Sequence, residues 1–166
     1  RIYREHMLAD FHREEVKPFE RLEELQAQER YLCCGCYDGD LPVGYMYFTK
    51  VPDSRYFLLD YYAIFPEFRS MGYGSRILTA MRHGVPDLAD FGKIMIAEVE
   101  DPAYSENAAD KALRERRVRF YQRNGLRLLS LRSHVLGAHY VIMLLTEEKE
   151  GSPSEEAVAE ALASIY

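Results

Sequence analysis

The sequence predicts an α/β (α+β) fold in which a mixed, mostly antiparallel central sheet is flanked by helices. Three observations lead to this prediction. Strand-like segments follow one another closely between residues 31 and 65, separated by short turns. A glycine-containing loop then joins the last of these strands to an amphipathic helix. A second helical pattern, at 108–123, leads into a final pair of strands.

The bulk composition narrows the class of protein. The 166 residues suit one domain with a substantial core, and their 48% hydrophobic content is ordinary for a globular protein. No apolar run approaches the ~20 residues of a membrane helix, and no signal peptide is visible in a sequence that starts at Arg1. The net charge of −6 argues against a general nucleic-acid-binding protein. We therefore expect no membrane or nucleic-acid partner.

The three cysteines, Cys33, Cys34 and Cys36, lie close together. An odd, clustered set is a poor disulfide framework and favours a reducing, cytoplasmic location. Adjacent cysteines in a strand point to opposite faces, and a second pair of ligands is missing. We expect no metal site.

The first 30 residues are rich in Glu, Arg, Leu and Ala, and predict two helical pieces at 3–10 and 12–29. Pro18 should break or restart the second piece. The acidic residues of this region are typical of a solvated helix face, although they could also favour a cationic amine. They include Glu14, Glu15, Glu23 and Glu24.

An antiparallel meander follows, with strands at 31–37, 43–50 and 56–65. The sequence Asp38-Gly39-Asp40 predicts the first hairpin turn, and 52–55 the second. The meander leads directly into the stretch around which the rest of the chain is organised.

That stretch, Leu58 to Arg82, contains an apolar strand, Pro66, the loop RSMGYGS and a helix. Unpaired N–H groups at a helix N-terminus, with glycines that allow close approach, form a site for phosphate groups. The loop lacks the Gly-Lys-Ser/Thr of a P-loop, and Ile77 stands where a dinucleotide fingerprint needs its third glycine. His83, followed by Gly84 and Pro86, is interpreted as a helix-end residue rather than a catalyst.

The second half of the chain begins with a strand at 93–100, in which Glu98 and Glu100 lie two apart and share a face. A helix at 108–123 precedes a hairpin with strands at 126–133 and 140–146. His134 and His139 flank its turn; they could face each other, but two exposed histidines are the simpler interpretation.

The last 20 residues form a polar linker and a short amphipathic helix with Ser154 as its N-cap. Its apolar stripe, Val158, Leu162 and Ile165, should pack on the domain or on a partner chain, which leaves a homodimer open. We therefore divide the chain into a single domain at 1–146 and a linker with its helix at 147–166.

The ordered set of Ala63, Ile64 and Pro66, then Arg69, Gly72 and Gly74, resembles motif A of the GNAT superfamily of acetyl-CoA-dependent N-acetyltransferases. A second element, RVRFYQRNGLRL, resembles the helix of that superfamily that ends in Phe-Tyr-x-x-x-Gly-Phe. Phe120, Tyr121 and Gly125 match, Leu126 replaces the usual Phe, and Arg114 stands where an asparagine usually contacts pantetheine.

The resemblance implies a fold with acetyl-CoA in a cleft between two splayed central strands. It implies that one strand end and the loop after it bind this co-substrate: Ala63, Ile64, Phe65, Arg69, Ser70, Met71, Gly72, Tyr73, Gly74 and Ser75. One or two of the arginines of the 108–123 helix could meet the adenosine 3′-phosphate; otherwise that helix presents a solvated cationic face.

The chemistry of direct acetyl transfer to an amine needs a base, an oxyanion donor and an acid for the leaving thiolate. The resemblance assigns the acid role to Tyr121, and a backbone N–H near Ile64 should stabilise the oxyanion. Glu98 or Glu100 is the candidate base. The structural alternatives are a tyrosine packed under the loop and glutamates that face solvent or an ion-pair partner.

Two hypotheses about function follow. The first is an acyltransferase, an enzyme that moves an acetyl group from acetyl-CoA to a primary amine of a small molecule or peptide. The second is a non-catalytic acyl-CoA-binding or regulatory module. The intact Tyr121 and the two glutamates favour the enzyme.

Overall fold

The computed structural model describes residues 1–13, 15–82, 88, 91–146 and 151–166. In these residues, five α-helices surround one sheet. A π-helical turn at Tyr3–Met7 continues as α1, and short 3₁₀ turns occupy Pro66–Phe68 and Pro102–Tyr104. The helices are α1 Leu8–Asp10, α2 Phe19–Ala27, α3 Tyr73–Arg82, α4 Ala108–Arg123 and α5 Glu155–Ala163.

The sheet has six strands in the order β1-β2-β3-β4-β6-β5. Only β3 and β4 pair in parallel, while the other neighbours are antiparallel, which confirms the predicted mixed, mostly antiparallel sheet. The strands are β1 Tyr31–Asp38, β2 Leu41–Lys50, β3 Tyr56–Ile64, β4 Ile94–Glu100, β5 Arg127–Val135 and β6 Ala138–Thr146.

The N-terminal region departs from the prediction. The expected helix at 12–29 begins only at Phe19, because Pro18 takes an extended conformation (ψ 145°) and serves as the N-cap. Within residues 1–13 and 15–30, no strand precedes β1. The residues that were expected to end α3, His83, Gly84 and Pro86, lie outside the described residues.

The pairing of β3 with both of its neighbouring strands changes next to Asp60. On the side of β2, Tyr47 pairs with Tyr61 and Phe48 with Leu59, so Asp60 is the extra residue of a β-bulge. On the side of β4, the parallel pairing runs from Tyr56 to Leu59 and ends there. The two central strands therefore separate after the bulge and leave a gap between their C-terminal ends.

Three apolar clusters hold the helices on the two faces of the sheet. One lies under α3 and α4 and includes Leu78 and Val118. On the opposite face, a second cluster buries the stripe of α5, including Val158 and Leu162, and a third lies under the N-terminal helices. The gap between β3 and β4 is thus flanked by α3 and α4 on one face, and by the N-terminal segment and α5 on the other.

Within the described ranges, no helix has both the length and the apolar composition that crossing a bilayer requires.

Candidate active site

The loop before α3 and the first residues of that helix contain a continuous run of backbone N–H groups without a backbone partner among the described residues. Ser70 (φ 64°) and Gly72 (φ 83°) take left-handed conformations that turn the chain into the helix. The first backbone donor of the helix with a partner is the N–H of Arg76, which donates to the carbonyl of Gly72 at 3.1 Å. Among the described residues, none of the six N–H groups of Ser70–Ser75 donates a hydrogen bond of normal geometry to another backbone carbonyl. We call this run the cradle.

The starts of α4 and α5 differ from that of α3. The side chain of Asn107 accepts from the N–H groups of Ala109 and Asp110, at 3.0 and 2.9 Å. Ser154 accepts from the N–H of Ala157 at 3.2 Å. Gly72, which precedes α3, has no side chain with which to cap it. The amides of the cradle are therefore available to an external anion, and the helix dipole adds to the attraction.

The floor of the cradle is packed against α4. A Cβ atom on Gly74 would lie 3.1 Å from the ring of Phe120. The hydroxyl of Tyr62 donates to the carbonyl of Gly74 at 2.7 Å, and its ring lies 6.5 Å from that of Phe120. Gly74 thus allows α3 to approach α4, and Phe120 joins the two motifs of the sequence in one packed unit.

The side chain of Arg69 has partners outside the cradle. Its Nε donates to the carbonyl of Ile64 at 3.0 Å, and its guanidinium pairs with the nearly buried Asp10 carboxylate at 2.7 Å. In this structure Arg69 therefore ties the loop to α1. Of the other predicted loop residues, Met71 is exposed, and Tyr73 donates through its hydroxyl to Asp38 at 2.8 Å.

The end of β3 presents backbone donors to the gap. The N–H of Phe65 donates to the carbonyl of Val43 on β2 at 3.0 Å. Because backbone groups of a strand alternate between its two sides, the N–H of Ile64 points the other way, towards β4. Pairing with β4 has stopped by that point. By the same alternation, the backbone N–H and C=O groups of Ala63 point towards β2. Its side chain packs in the apolar cluster under the N-terminal helices.

Tyr121 lies on the α3 and α4 face, beside the cradle. Its ring is 5.3 Å from that of Phe120, and Arg117 interacts with it electrostatically. Burial raises the pKa of Tyr121 to about 12, although Arg117 lowers it slightly. No hydrogen-bond partner of its hydroxyl is found among the described residues, so this hydroxyl remains able to donate to a ligand.

Glu98 and Glu100 share a strand but have different partners. Glu100 is ion-paired with Arg114 at 3.2 Å and also with Arg117, both on α4. Glu98 accepts hydrogen bonds from two hydroxyl groups, those of Ser133 on β5 and of Tyr166 after α5. Only Glu100 is therefore neutralised by cations among the described residues.

A group of acidic and tyrosine side chains, with one lysine, lies on the face of the sheet that carries the N-terminal segment and α5, and sequence reasoning missed most of it. Asp60, at the bulge, accepts from Lys17 at 2.6 and 2.8 Å and from the hydroxyl of Tyr31. Tyr166 interacts electrostatically with the carboxylates of both Asp60 and Glu98, so Glu98 belongs to the same group. We call this group the acidic wall, and its members are Glu15, Lys17, Asp60, Glu98, Tyr140 and Tyr166.

One signal for this wall was present in the sequence: Asp60 is the single charged residue in the apolar run from Leu58 to Phe65. Tyr166 gave no signal, since nothing local distinguishes it from other tyrosines. Glu15 was interpreted as part of a solvated face that could also favour a cationic amine, and it lies 3.5 Å from the Tyr140 hydroxyl.

The remaining candidates take structural positions. Arg114 binds Asp110, Glu100 and two carbonyls of the loop before α4, so it organises that loop. His134 and His139 do face each other, with stacked rings 4.2 Å apart, and Tyr104 extends the stack. The alternative that the two histidines face each other is therefore the one the structure has, because cross-strand pairing brings their rings together; His134 is exposed and His139 is half-buried.

In the described residues the three cysteines form no disulfide, and they lie partly buried on β1. In the described part of the chain, no group of three or more His, Cys, Asp or Glu side chains is arranged to hold a metal ion.

Comparison with known proteins gives the following matches. Residues 1–126 match the family model of the acetyltransferase (GNAT) family. Comparison with the curated proteins finds no match. A GNAT-family protein from Bacteroides thetaiotaomicron has a similar structure, with a TM-score of 0.69 and 22% identity, over 93% of this chain and 81% of that chain.

Two further structures of similar fold were solved with coenzyme A. An aminoglycoside 6′-N-acetyltransferase has a TM-score of 0.57 and 17% identity, over 81% of each chain. A spermidine N-acetyltransferase from Vibrio cholerae, in complex with CoA and spermine, has a TM-score of 0.57 and 12% identity, over 81% of this chain and 78% of that chain.

Proposed function

Since this chain belongs to the GNAT family of acetyltransferases, we propose that it transfers the acetyl group of acetyl-CoA to a primary amine of a small molecule or peptide. The observation that carries the proposal is the cradle: six open backbone amides at the start of α3, beside the gap between β3 and β4. A pyrophosphate needs this kind of donor set.

Acetyl-CoA supplies an activated acyl group as a thioester. The amides of the cradle bind its pyrophosphate, and Phe120 under Gly74 keeps them in place. The N–H of Ile64, which faces the gap, donates to the oxygen that becomes negatively charged during transfer. The phosphate end of acetyl-CoA is thus assigned to α3, and its reacting acetyl end to β3.

Tyr121 acts on the leaving sulfur. Burial raises the pKa of Tyr121 to about 12, above the ~8.5 of a thiol. The phenol therefore stays protonated at neutral pH. It stabilises the departing thiolate by donating a hydrogen bond, rather than by complete proton transfer.

Glu98 takes the proton of the attacking ammonium. The ion pairs of Glu100 with Arg114 and Arg117 make Glu100 the weaker candidate for this role. The acidic wall around Glu98 also attracts a cationic acceptor, since Lys17 compensates only the charge of Asp60.

The experiment that tests the proposal is an acetyl-transfer screen that measures free CoA thiol. It uses polyamines, aminoglycosides, amino acids and short peptides as acceptors. We expect at least one class to be acetylated, with a dependence on Tyr121. If calorimetry showed CoA binding but no amine were acetylated, the non-catalytic acyl-CoA-binding module would be the better description.

A further inference from the structure

Helix α5 is held against the sheet along its length, so the residues that follow it have a defined position. Val158 and Leu162 are buried against β4 and β6. At the start of the helix, the N–H of Ser130 on β5 donates to the carboxylate of Glu155 at 2.9 Å. At its end, the N–H of Ile165 donates to the carbonyl of Leu162 at 3.0 Å. All of these residues lie beyond the 1–126 region that matches the family model.

This docking brings the hydroxyl of Tyr166 to Glu98. Tyr166 donates to one carboxylate oxygen and Ser133 donates to the other, so both oxygens are oriented by groups from two different elements. Tyr166 is 62% exposed, and its partial burial together with the neighbouring Glu98 carboxylate raises the pKa of Tyr166. Tyr166 therefore remains protonated at neutral pH and can act as the donor.

The charges around this contact come from four other elements. Tyr140 on β6 has its pKa raised by burial and, beyond that, by Glu15, Glu98 and Glu100. Asp60 on β3 also lies near Tyr166 and is paired with Lys17. Glu100 is held by the arginines of α4, whereas in the described residues no Lys or Arg forms an ion pair with Glu98.

The difference between the two glutamates matters for proton transfer. A cation beside a carboxylate favours its charged form and weakens it as a base. A neutral hydroxyl donor fixes the direction of the carboxylate with a smaller effect on its basicity. Glu98 is thus oriented without being neutralised.

We propose that Tyr166 is a positioning residue of the acetyl-transfer site, because its hydroxyl holds the Glu98 carboxylate in the orientation that takes a proton from the acceptor amine. The inference rests on the proposed function, which assigns the role of base to Glu98. It makes α5 a part of the active site, rather than an appendage of the domain.

The contact itself is tested by NMR titration of the free protein, labelled with ¹³C at the glutamate carboxyl groups. Glu98→Gln identifies the Glu98 resonance. Tyr166→Phe removes one donor to the carboxylate, so the midpoint of the Glu98 titration should move to higher pH by about half a unit to one unit. Tyr37→Phe, which alters an exposed tyrosine on β1 at the other edge of the sheet, is the matched control. An unchanged midpoint in Tyr166→Phe would overturn the proposal.

The role in catalysis is tested by a double-mutant cycle, using acetyl-CoA and an amine acetylated in the screen. Tyr166→Phe should lower kcat about threefold to tenfold, leave the KM for acetyl-CoA unchanged, and shift the acid limb of the pH–rate profile upward. In a Glu98→Gln background the same change should have no further effect. An equal loss in both backgrounds would show that Tyr166 acts independently of Glu98 and would overturn the proposal.

Failure of the proposed acetyl transfer and failure of the positioning role of Tyr166 would give different results. If no amine in the screen is acetylated, the proposed function fails, while the NMR titration still decides whether Tyr166 controls Glu98. Thermal unfolding of Tyr166→Phe, compared with Tyr37→Phe, excludes a loss of fold as the cause of either result. Ser133→Ala, which removes the other hydroxyl donor, should shift the Glu98 titration in the same direction; no shift in either variant would contradict the hydrogen-bonded arrangement.

Discussion

The cradle and the acidic wall lie on opposite sides of one gap but are built in different ways. The cradle is local: six consecutive backbone amides, Ser70–Ser75, whose placement depends on one turn and one helix. The acidic wall is assembled from side chains far apart in sequence, from Glu15 to Tyr166. The half of the site proposed for the co-substrate therefore depends on backbone geometry, and the half proposed for the acceptor depends on tertiary packing.

The largest expected effect is on the cradle. Gly74→Leu would place a side chain against Phe120, which already lies 3.1 Å from the position of a Cβ atom. We expect CoA affinity, measured by calorimetry, to fall at least about 100-fold, since the displaced amides lose two or more charge-assisted hydrogen bonds. Thr79→Leu, an exposed position on the same helix, is the control. Unchanged affinity in Gly74→Leu would contradict the cradle.

The next prediction concerns Tyr121 and separates an effect on the chemical step from an effect on CoA binding. Tyr121→Phe should lower kcat about 100-fold, because the thiolate loses its hydrogen-bond donor. CoA affinity should stay within about twofold of wild type, since the amides are untouched. Because burial raises the pKa of Tyr121 to about 12, its contribution should persist up to about pH 10 and be lost only as the phenol ionises. Unchanged turnover in Tyr121→Phe would refute the role of Tyr121 as hydrogen-bond donor to the leaving thiolate.

A third prediction concerns the stability of the acidic wall. Lys17→Met leaves the largely buried Asp60 carboxylate without its cation. The Lys17 side chain is 27% exposed and the Asp60 side chain 10%. We expect a loss of about 1–3 kcal/mol in the free energy of unfolding, measured in urea. Arg21→Met, which breaks the exposed pair with Glu24, should cost about 0.5 kcal/mol or less. A change in CoA affinity in Lys17→Met would contradict the separation of the two regions.

The smallest effect comes from a matched pair of glycines. Gly72 and Gly137 both have φ 83°, and a Cβ atom on either would meet nothing within 4 Å. Alanine at either position should therefore cost about 1–2 kcal/mol of stability. Only Gly72→Ala should weaken CoA binding, by about threefold to tenfold, because Gly72 sets the direction of the cradle amides. Equal affinities in the two variants would show that the turn does not control the cradle.

The local part of the site could be predicted from the sequence. Pro66, Arg69, Gly72 and Gly74 in fixed order mark a strand, a turn and a helix start. The structure has these elements: β3 ends one residue before its predicted end, and α3 begins at Tyr73, inside the predicted loop 69–75. Phe120 and Tyr121 were found in the same way, through a motif on one helix. Both depend on neighbours in the sequence, and local patterns determine such features.

The rest depends on contacts that no local pattern encodes. Arg69 is predicted to bind the co-substrate, and in the structure its guanidinium pairs with Asp10, a residue 59 positions away that no local pattern connects to it. Glu98 and Glu100 looked equivalent in the strand, and their partners, Tyr166 and Arg114, differentiate them only after folding. The bulge at Asp60, which opens the gap, follows from register with β2, and register is a property of two strands.

The most direct test of the central claim is a ¹H–¹⁵N NMR titration of the protein with acetyl-CoA. We predict that the largest amide shifts, and new protection from hydrogen exchange, occur at Ser70–Ser75, while the amides at the capped starts of α4 and α5 change little. If acetyl-CoA bound but left the amides of Ser70–Ser75 unshifted and unprotected, the pyrophosphate would lie elsewhere. The assignment of α3 as the cofactor cradle would then be wrong.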